Sequence, residues 1–264
     1  MFFDKILIIV RHGNTFRPDE EPRRIGSRTD LPLVEETRSI TAARIIKSRG
    51  LFPARVFAAP LLRTMQTAEL IVNELGLNCT IQQIPEFTEI DYGPDENQTE
   101  NNVIKRLGTF YLGRHADLNE IIQRGKDEID NWNNNAAAPA CWNVDTTKII
   151  ADWRNFTDKI NKGETVLVVS SNGIIRFAPH ILLPDDFEIF RNTHNLRQFV
   201  KTTSAETQYQ EKTKPNSTAN LNNLKVTTAG ICIFVQKNNK WNITDWNIKP
   251  DLNFKIADNQ KSSL

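Results

Sequence analysis

Residues 5–13 read KILIIVRHG, five consecutive apolar residues, four of them β-branched, stopped abruptly by Arg11, His12 and Gly13. A strand without polar alternation has both faces buried, and that requires a sheet covered by helices on both sides. The pattern returns at 55–59 (RVFAA) and at 165–169 (TVLVV), and 79–84 is a further strand candidate. Between these runs lie stretches of helical periodicity, including 35–49 with Ile40, Ala43 and Ile46, a segment opened by Pro60, and 147–160. Strands alternating with helices predict an α/β fold with a mostly parallel sheet. Residues 229–235 and 241–246 read as a last strand pair turned by Asn238-Asn239.

The rest of the chain is less regular. Residues 14–34 form a polar loop. Residues 100–131 are broadly helical with Gly108, Gly113 and Gly125 as interruptions, and 131–140 (NWNNNAAAPA) reads as a loop. Without an internal repeat or linker, residues 1–264 are expected to form one domain. Residues 94–145 would be a cap or lid insertion and 201–224 a mobile loop, because the latter stretch has almost nothing to bury.

Composition narrows the function. The 33 basic and 32 acidic side chains leave a net charge of +1, which argues against nucleic-acid or membrane partners, although an average of this kind conceals a local cluster of arginines. The three cysteines are scattered and lack CxxC spacing, so neither a disulfide framework nor a zinc site is expected. The first apolar run is too short for a signal segment or membrane span, and a cytoplasmic location is the expectation.

Ligands of an open α/β sheet sit beyond the carboxyl ends of its strands. Three polar segments follow buried strands directly: Arg11-His12-Gly13, the helix start with Arg63, and Ser171-Asn172-Gly173. LIIVRHGNT resembles the signature of the histidine phosphatase superfamily, which includes phosphoglycerate mutase-like proteins. Four further segments resemble that family in order: GSRTDLPL, VFAAPLLRTMQTA, FTEIDYG and LVVSSNGIIR. The resemblance spans about residues 5–180 and implies a phosphoglycerate mutase-like α/β fold acting on a small phosphorylated substrate or phosphate, with no cofactor and no metal. It makes His12 the nucleophile and Glu89 the general acid. Arg11, Arg63, Arg24, Asn14, Ser171 and Asn172 are the candidate phosphate-binding residues. An imidazole attacks phosphorus when its other nitrogen is held by an acceptor, and guanidinium forks match phosphoryl oxygens.

One departure stands out. Ser171 occupies the position where most members carry a second histidine, so a cationic donor is missing there. The alternatives to a phosphohistidine phosphatase are therefore a non-catalytic phospholigand-binding or regulatory module, and a mutase-type phosphotransferase. Individual residues have plainer readings too. Arg63 would be a surface arginine paired with Glu69, Glu89 part of a solvated acidic loop, and Ser171 and Asn172 helix caps. His115 is expected at the surface, His180 and His194 as structural residues, and Trp132, Trp142 and Trp153 as core or lid aromatics. Oligomeric state is open.

Overall fold

The computed structural model describes residues 4–192 and 223–251. Most of the stretch expected to be a mobile loop (201–222) lies outside them, as does His194.

In chain order the elements are β1 (Lys5–Arg11), α1 (Thr37–Ser48), β2 (Arg55–Ala58), α2 (Leu62–Leu75), β3 (Ile81–Gln83), α3 (Glu100–Leu112) and α4 (Leu118–Asn135). They continue with α5 (Thr146–Asp158), β4 (Glu164–Ser170), α6 (Asn172–Ile175), α7 (Pro184–Asn192), β5 (Ile231–Lys237) and β6 (Lys240–Ile248). The six strands form one mixed sheet in the order β3-β2-β4-β1-β5-β6. The first four are parallel, while β5 pairs antiparallel with β1 and β6 antiparallel with β5. Asn238 and Asn239 turn the last hairpin in the left-handed region, at φ 52° and 62°. Asparagine tolerates that conformation better than most residues.

The apolar runs are buried on both faces, as their lack of alternation demands. Leu7, Ile9, Val166 and Val168 pack on one side with Trp153 and Phe156 of α5 and Trp132 of α4. Ile8, Val10, Leu167 and Val169 pack on the other with Ala42, Ala43 and Ile46 of α1 and Ala68 and Ile71 of α2. No helix of the described residues is long and apolar enough to cross a membrane.

Two local expectations are corrected. The reading of 131–140 as a loop holds for 136–140 but not for 131–135, because α4 runs on to Asn135 and closes at left-handed Ala136, φ 55°. Ile121, Gly125, Ile129 and Trp132 continue one buried face through the asparagine-rich stretch, and burying the Trp132 ring outweighs the weak helix propensity of its neighbours. Of the three glycines read as interruptions, only Gly113 ends a helix. Gly108 and Gly125 lie where α3 and α4 touch. A Cβ on Gly108 would stand 1.8 Å from the Ile121 carbonyl oxygen, and one on Gly125 would stand 1.9 Å from that of Ile104. The two backbones meet there, where only glycine fits.

Candidate active site

β1 and β4 lie side by side with Arg11 opposite Ser170, so the residues after both strands emerge together at the carboxyl edge of the sheet. The His12 amide donates to the Ser170 carbonyl at 3.0 Å. The Gly13 amide donates at 3.0 Å to Thr67 Oγ1, which itself donates to the Arg63 carbonyl, so the N-terminal half of α2 holds the His12 turn in place. The edge has a third contributor. Because β5 runs antiparallel to β1, its incoming segment 224–230 arrives at the same edge. There the Ala229 amide donates to the His12 carbonyl, and the Arg11 amide donates to that of Gly230.

His12 is 4% exposed. Its Nδ1 lies 2.8 Å from the Gly13 carbonyl oxygen, which only accepts. Nδ1 therefore carries the proton and Nε2 keeps the lone pair. Burial, then the charges of Arg63 and Arg11, hold the imidazole well below its ordinary pKa, so it is neutral at pH 7. Burial also lowers the pKa of Arg11 and Arg63, against the opposing pull of Glu89.

Arg63 is completely buried, which excludes the surface reading with Glu69. It donates from Nη1 to the Thr29 carbonyl at 2.8 Å and from Nη2 to that of Gly26 at 3.1 Å, and so draws the 14–34 loop onto the site. Arg11 donates from Nη1 to the Val226 carbonyl at 2.6 Å. The Nε atoms of both arginines are buried without a partner among the described residues.

Glu89 is 5% exposed, which excludes a solvated acidic loop. Oε1 accepts from the Ile90 amide at 2.9 Å, and Oε2 from the Gly173 amide at 3.2 Å and the Tyr92 hydroxyl at 3.4 Å. Tyr92 keeps its proton because burial and Glu89 both raise its pKa.

Neither Ser171 nor Asn172 caps α6 through its side chain. Ser171 is fully buried and its Oγ has no partner among the described residues. Asn172 instead accepts from the Val226 amide at 2.8 Å through Oδ1 and tethers the segment entering β5.

These elements enclose a cavity of about 690 Å³ lined by His12, Asn14, Glu89 and Asn172 among others. Its cationic side chains are Arg11, Arg17, Arg23, Arg24, Arg38, Arg176 and Lys225, against the carboxylates Glu20, Glu89 and Glu100. The near-zero charge of the chain thus conceals one strongly basic cavity. Arg63 and Ser171 lie behind its lining. Arg24 pairs with Glu100 and stacks on Trp142 and Tyr92, at 4.9 and 5.3 Å from the ring centroids.

Arg176, Tyr92 and Lys225 also line the cavity but escaped sequence reasoning. Arg176 falls within the LVVSSNGIIR match and carried a usable signal, an arginine one helical turn beyond Asn172. Lys225 carried none. His115 is exposed. His180 is partly buried between Phe177 and Phe187, a structural place, with its pKa pushed down to about 4 mainly by burial. Trp132, Trp142 and Trp153 are buried. Among the described residues no group of three or more His, Cys, Asp or Glu is placed to hold a metal ion.

Residues 7–128 match the histidine phosphatase superfamily, branch 1. No curated protein matches the chain. Among solved structures, a phosphoglycerate mutase from Bacillus anthracis str. Sterne superposes with a TM-score of 0.58 at 17% identity, covering 92% of either chain. A putative alpha-ribazole-5'-P phosphatase from Escherichia coli K-12 gives 0.53 at 16% identity, over 92% of this chain and 96% of that one. A mycobacterial glucosyl-3-phosphoglycerate phosphatase gives 0.54 at 13%, over 92% and 99%. At these identities the likeness establishes a shared fold.

Proposed function

We propose that this chain, placed in the histidine phosphatase superfamily by residues 7–128, is a phosphomonoester hydrolase acting through a phosphohistidine on His12. One observation carries the reading. A buried neutral imidazole, its Nδ1 committed to Gly13, stands in the field of two buried arginines whose Nε donors have no partner. Leaving such a donor buried and unpaired costs about 1–3 kcal/mol, a deficit that a phosphoryl oxygen in the cavity would relieve at Arg11, which lines it, while Arg63 behind the lining acts through its field.

In this mechanism Nε2 of His12 attacks phosphorus and the bond from phosphorus to the ester oxygen breaks. Glu89 gives its proton to that oxygen, and the alcohol departs. Water then attacks the phosphohistidine, Glu89 takes a proton from it, and phosphate leaves as His12 is restored. Arg11 and Arg63 stabilise charge on the phosphoryl oxygens, the main task in phosphoryl transfer. Asn14, Asn172 and Arg24 line the cavity beside them, and α3 and α4 would serve as its cap.

A second reading is favoured by one specific observation: Ser171, where a second histidine is usual, lies off the cavity and brings no charge. Loss of one such donor costs about 10²–10³ in rate, which leaves room for a slow phosphatase or a phospholigand-binding module without turnover. A mutase is less consistent with a site short of that donor. Acid quenching after incubation with a ³²P-labelled phosphomonoester decides between the readings. An acid-labile, base-stable phosphoprotein, absent from His12→Ala, is expected. Phosphate binding without any such phosphoprotein, and turnover no greater than that of His12→Ala, would overturn the enzymatic reading.

A further inference from the structure

The cavity is several times larger than one phosphoryl group needs, and its cations are not all gathered at His12. Charge influence divides them. The imidazole is depressed by Arg63 and Arg11, whereas Lys225 and Arg176 feel Arg11 and Arg24. Arg11 belongs to both sets.

The second set is preorganised. The Arg176 guanidinium lies 3.8 Å from the centroid of the Trp132 ring. It is fixed by Nη1 donating to the Trp132 carbonyl at 2.5 Å and Nε donating to that of Asn172 at 3.2 Å. Its Nη2 has no partner among the described residues. Arg24 is held by two aromatic rings and by Glu100, and its Nε is unpartnered as well. The backbone around Lys225 is pinned from three sides. The Leu224 amide donates to the Asn133 carbonyl at 2.8 Å, the Val226 amide to Asn172 Oδ1 at 2.8 Å, and Arg11 to the Val226 carbonyl. The Lys225 ammonium itself, exposed at the cavity mouth, makes no hydrogen bond or ion pair among the described residues.

The nearby carboxylates are already engaged, Glu100 with Arg24 and Glu89 with three donors. Like charges repel, so a crowd of cations held rigidly by aromatic and backbone contacts has an unmet demand for anionic oxygen. Burial and the neighbouring arginines push Arg176 down to about 9, a stress that a bound anion would remove.

We propose that Arg24, Arg176 and Lys225 form a second anion subsite beside Arg11, so that the phosphomonoester this chain takes carries a further anionic group on its alcohol part. The shared chemistry is an anionic oxygen cluster, from either a carboxylate or a second phosphate. This inference rests on the phosphatase reading above for the identity of the first group, but not for the existence of the subsite.

The test compares three ligands of equal carbon number on the full chain: n-propyl phosphate, 3-phosphooxypropanoate and propane-1,3-diol bisphosphate. Turnover gives kcat/KM, and calorimetry with the matching phosphonates gives affinity without chemistry. The doubly anionic ligands are expected to be preferred by about 10- to 100-fold, with the larger preference identifying carboxylate or phosphate as the source. Raising salt should shrink that preference. Lys225→Gln, at an exposed side chain whose loss leaves the fold intact, should reduce it about tenfold. Turnover with equal kcat/KM for all three ligands overturns the subsite while the phosphatase reading stands, as does a preference indifferent to Lys225→Gln. A preference among phosphonates with no turnover of any ester leaves the subsite standing and sinks the phosphatase reading.

Discussion

Gly173→Ala isolates the contribution of Glu89. Gly173 belongs to α6 with ordinary backbone dihedrals, so alanine introduces a purely steric change. The new Cβ would stand 2.1 Å from Glu89 Oε1 and 3.0 Å from its Cδ. Ordinary van der Waals contact begins near 3.4 Å, so the carboxyl must retreat by more than 1 Å. Its hydrogen bond from the Gly173 amide is then strained or lost. A catalytic group misplaced by about 1 Å costs on the order of 10²-fold in rate, and overpacking a full site costs about 1–3 kcal/mol of stability. Kinetics with two classes of ester separate these effects. Alkyl phosphates need a proton on the leaving oxygen, whereas p-nitrophenyl phosphate departs as a stable anion. The alkyl ester is expected to lose about 10²-fold in kcat and the nitrophenyl ester far less, with folding verified by a cooperative thermal transition. Equal losses on both esters, or undiminished alkyl turnover by a folded variant, would refute the assignment of Glu89 as the acid.

Acid should destabilise the fold in a defined window. Burial holds His12 well below the ordinary imidazole value, so below about pH 6.5 the unfolded chain binds a proton that the folded chain refuses. Stability is therefore complete above pH 6.5 and falls as pH drops, by up to about 1.4 kcal/mol per pH unit from His12. His180, depressed to about 4, adds a smaller solvent-screened share. Urea unfolding at pH 7.5, 6.5 and 5.5 reads the slope, and His12→Gln should flatten it. Asp95, 1% exposed, accepts from Arg106 Nε and Nη2 at 2.5 Å and from Trp142 Nε1 at 2.7 Å. Asp95→Ala leaves Arg106 Nε and Trp142 Nε1 without their acceptor, Arg106 Nη2 keeping only the Ala140 carbonyl, and should cost about 3 kcal/mol by denaturant titration, with an unchanged transition midpoint as the contrary result.

The sequence by itself determined the layers of this protein and the centre of its site. Unalternating apolar runs have only one stable environment, a sheet covered on both faces, and that requirement acts locally at 5–10, 55–59 and 165–169. Strands that end in RHG and SSNG place Arg11, His12 and Asn172 at one edge once the sheet is parallel. Tertiary structure decided what surrounds them. Lys225 reaches the cavity because β5 runs antiparallel to β1 and so enters at the carboxyl edge of that strand. No local pattern near Lys225 encodes a pairing made more than 200 residues away. Arg63 is buried against the carbonyls of Gly26 and Thr29 because the 14–34 loop folds over it, although a helix arginine with Glu69 nearby in sequence also reads as a surface residue. Residues 131–135 are helical because α4 buries Trp132, a contact that outweighs what an asparagine-rich segment would choose alone. Side-chain type and strand periodicity are local properties and can be read along the chain. Charge crowding, burial and the pairing of distant backbones exist only once the chain is folded.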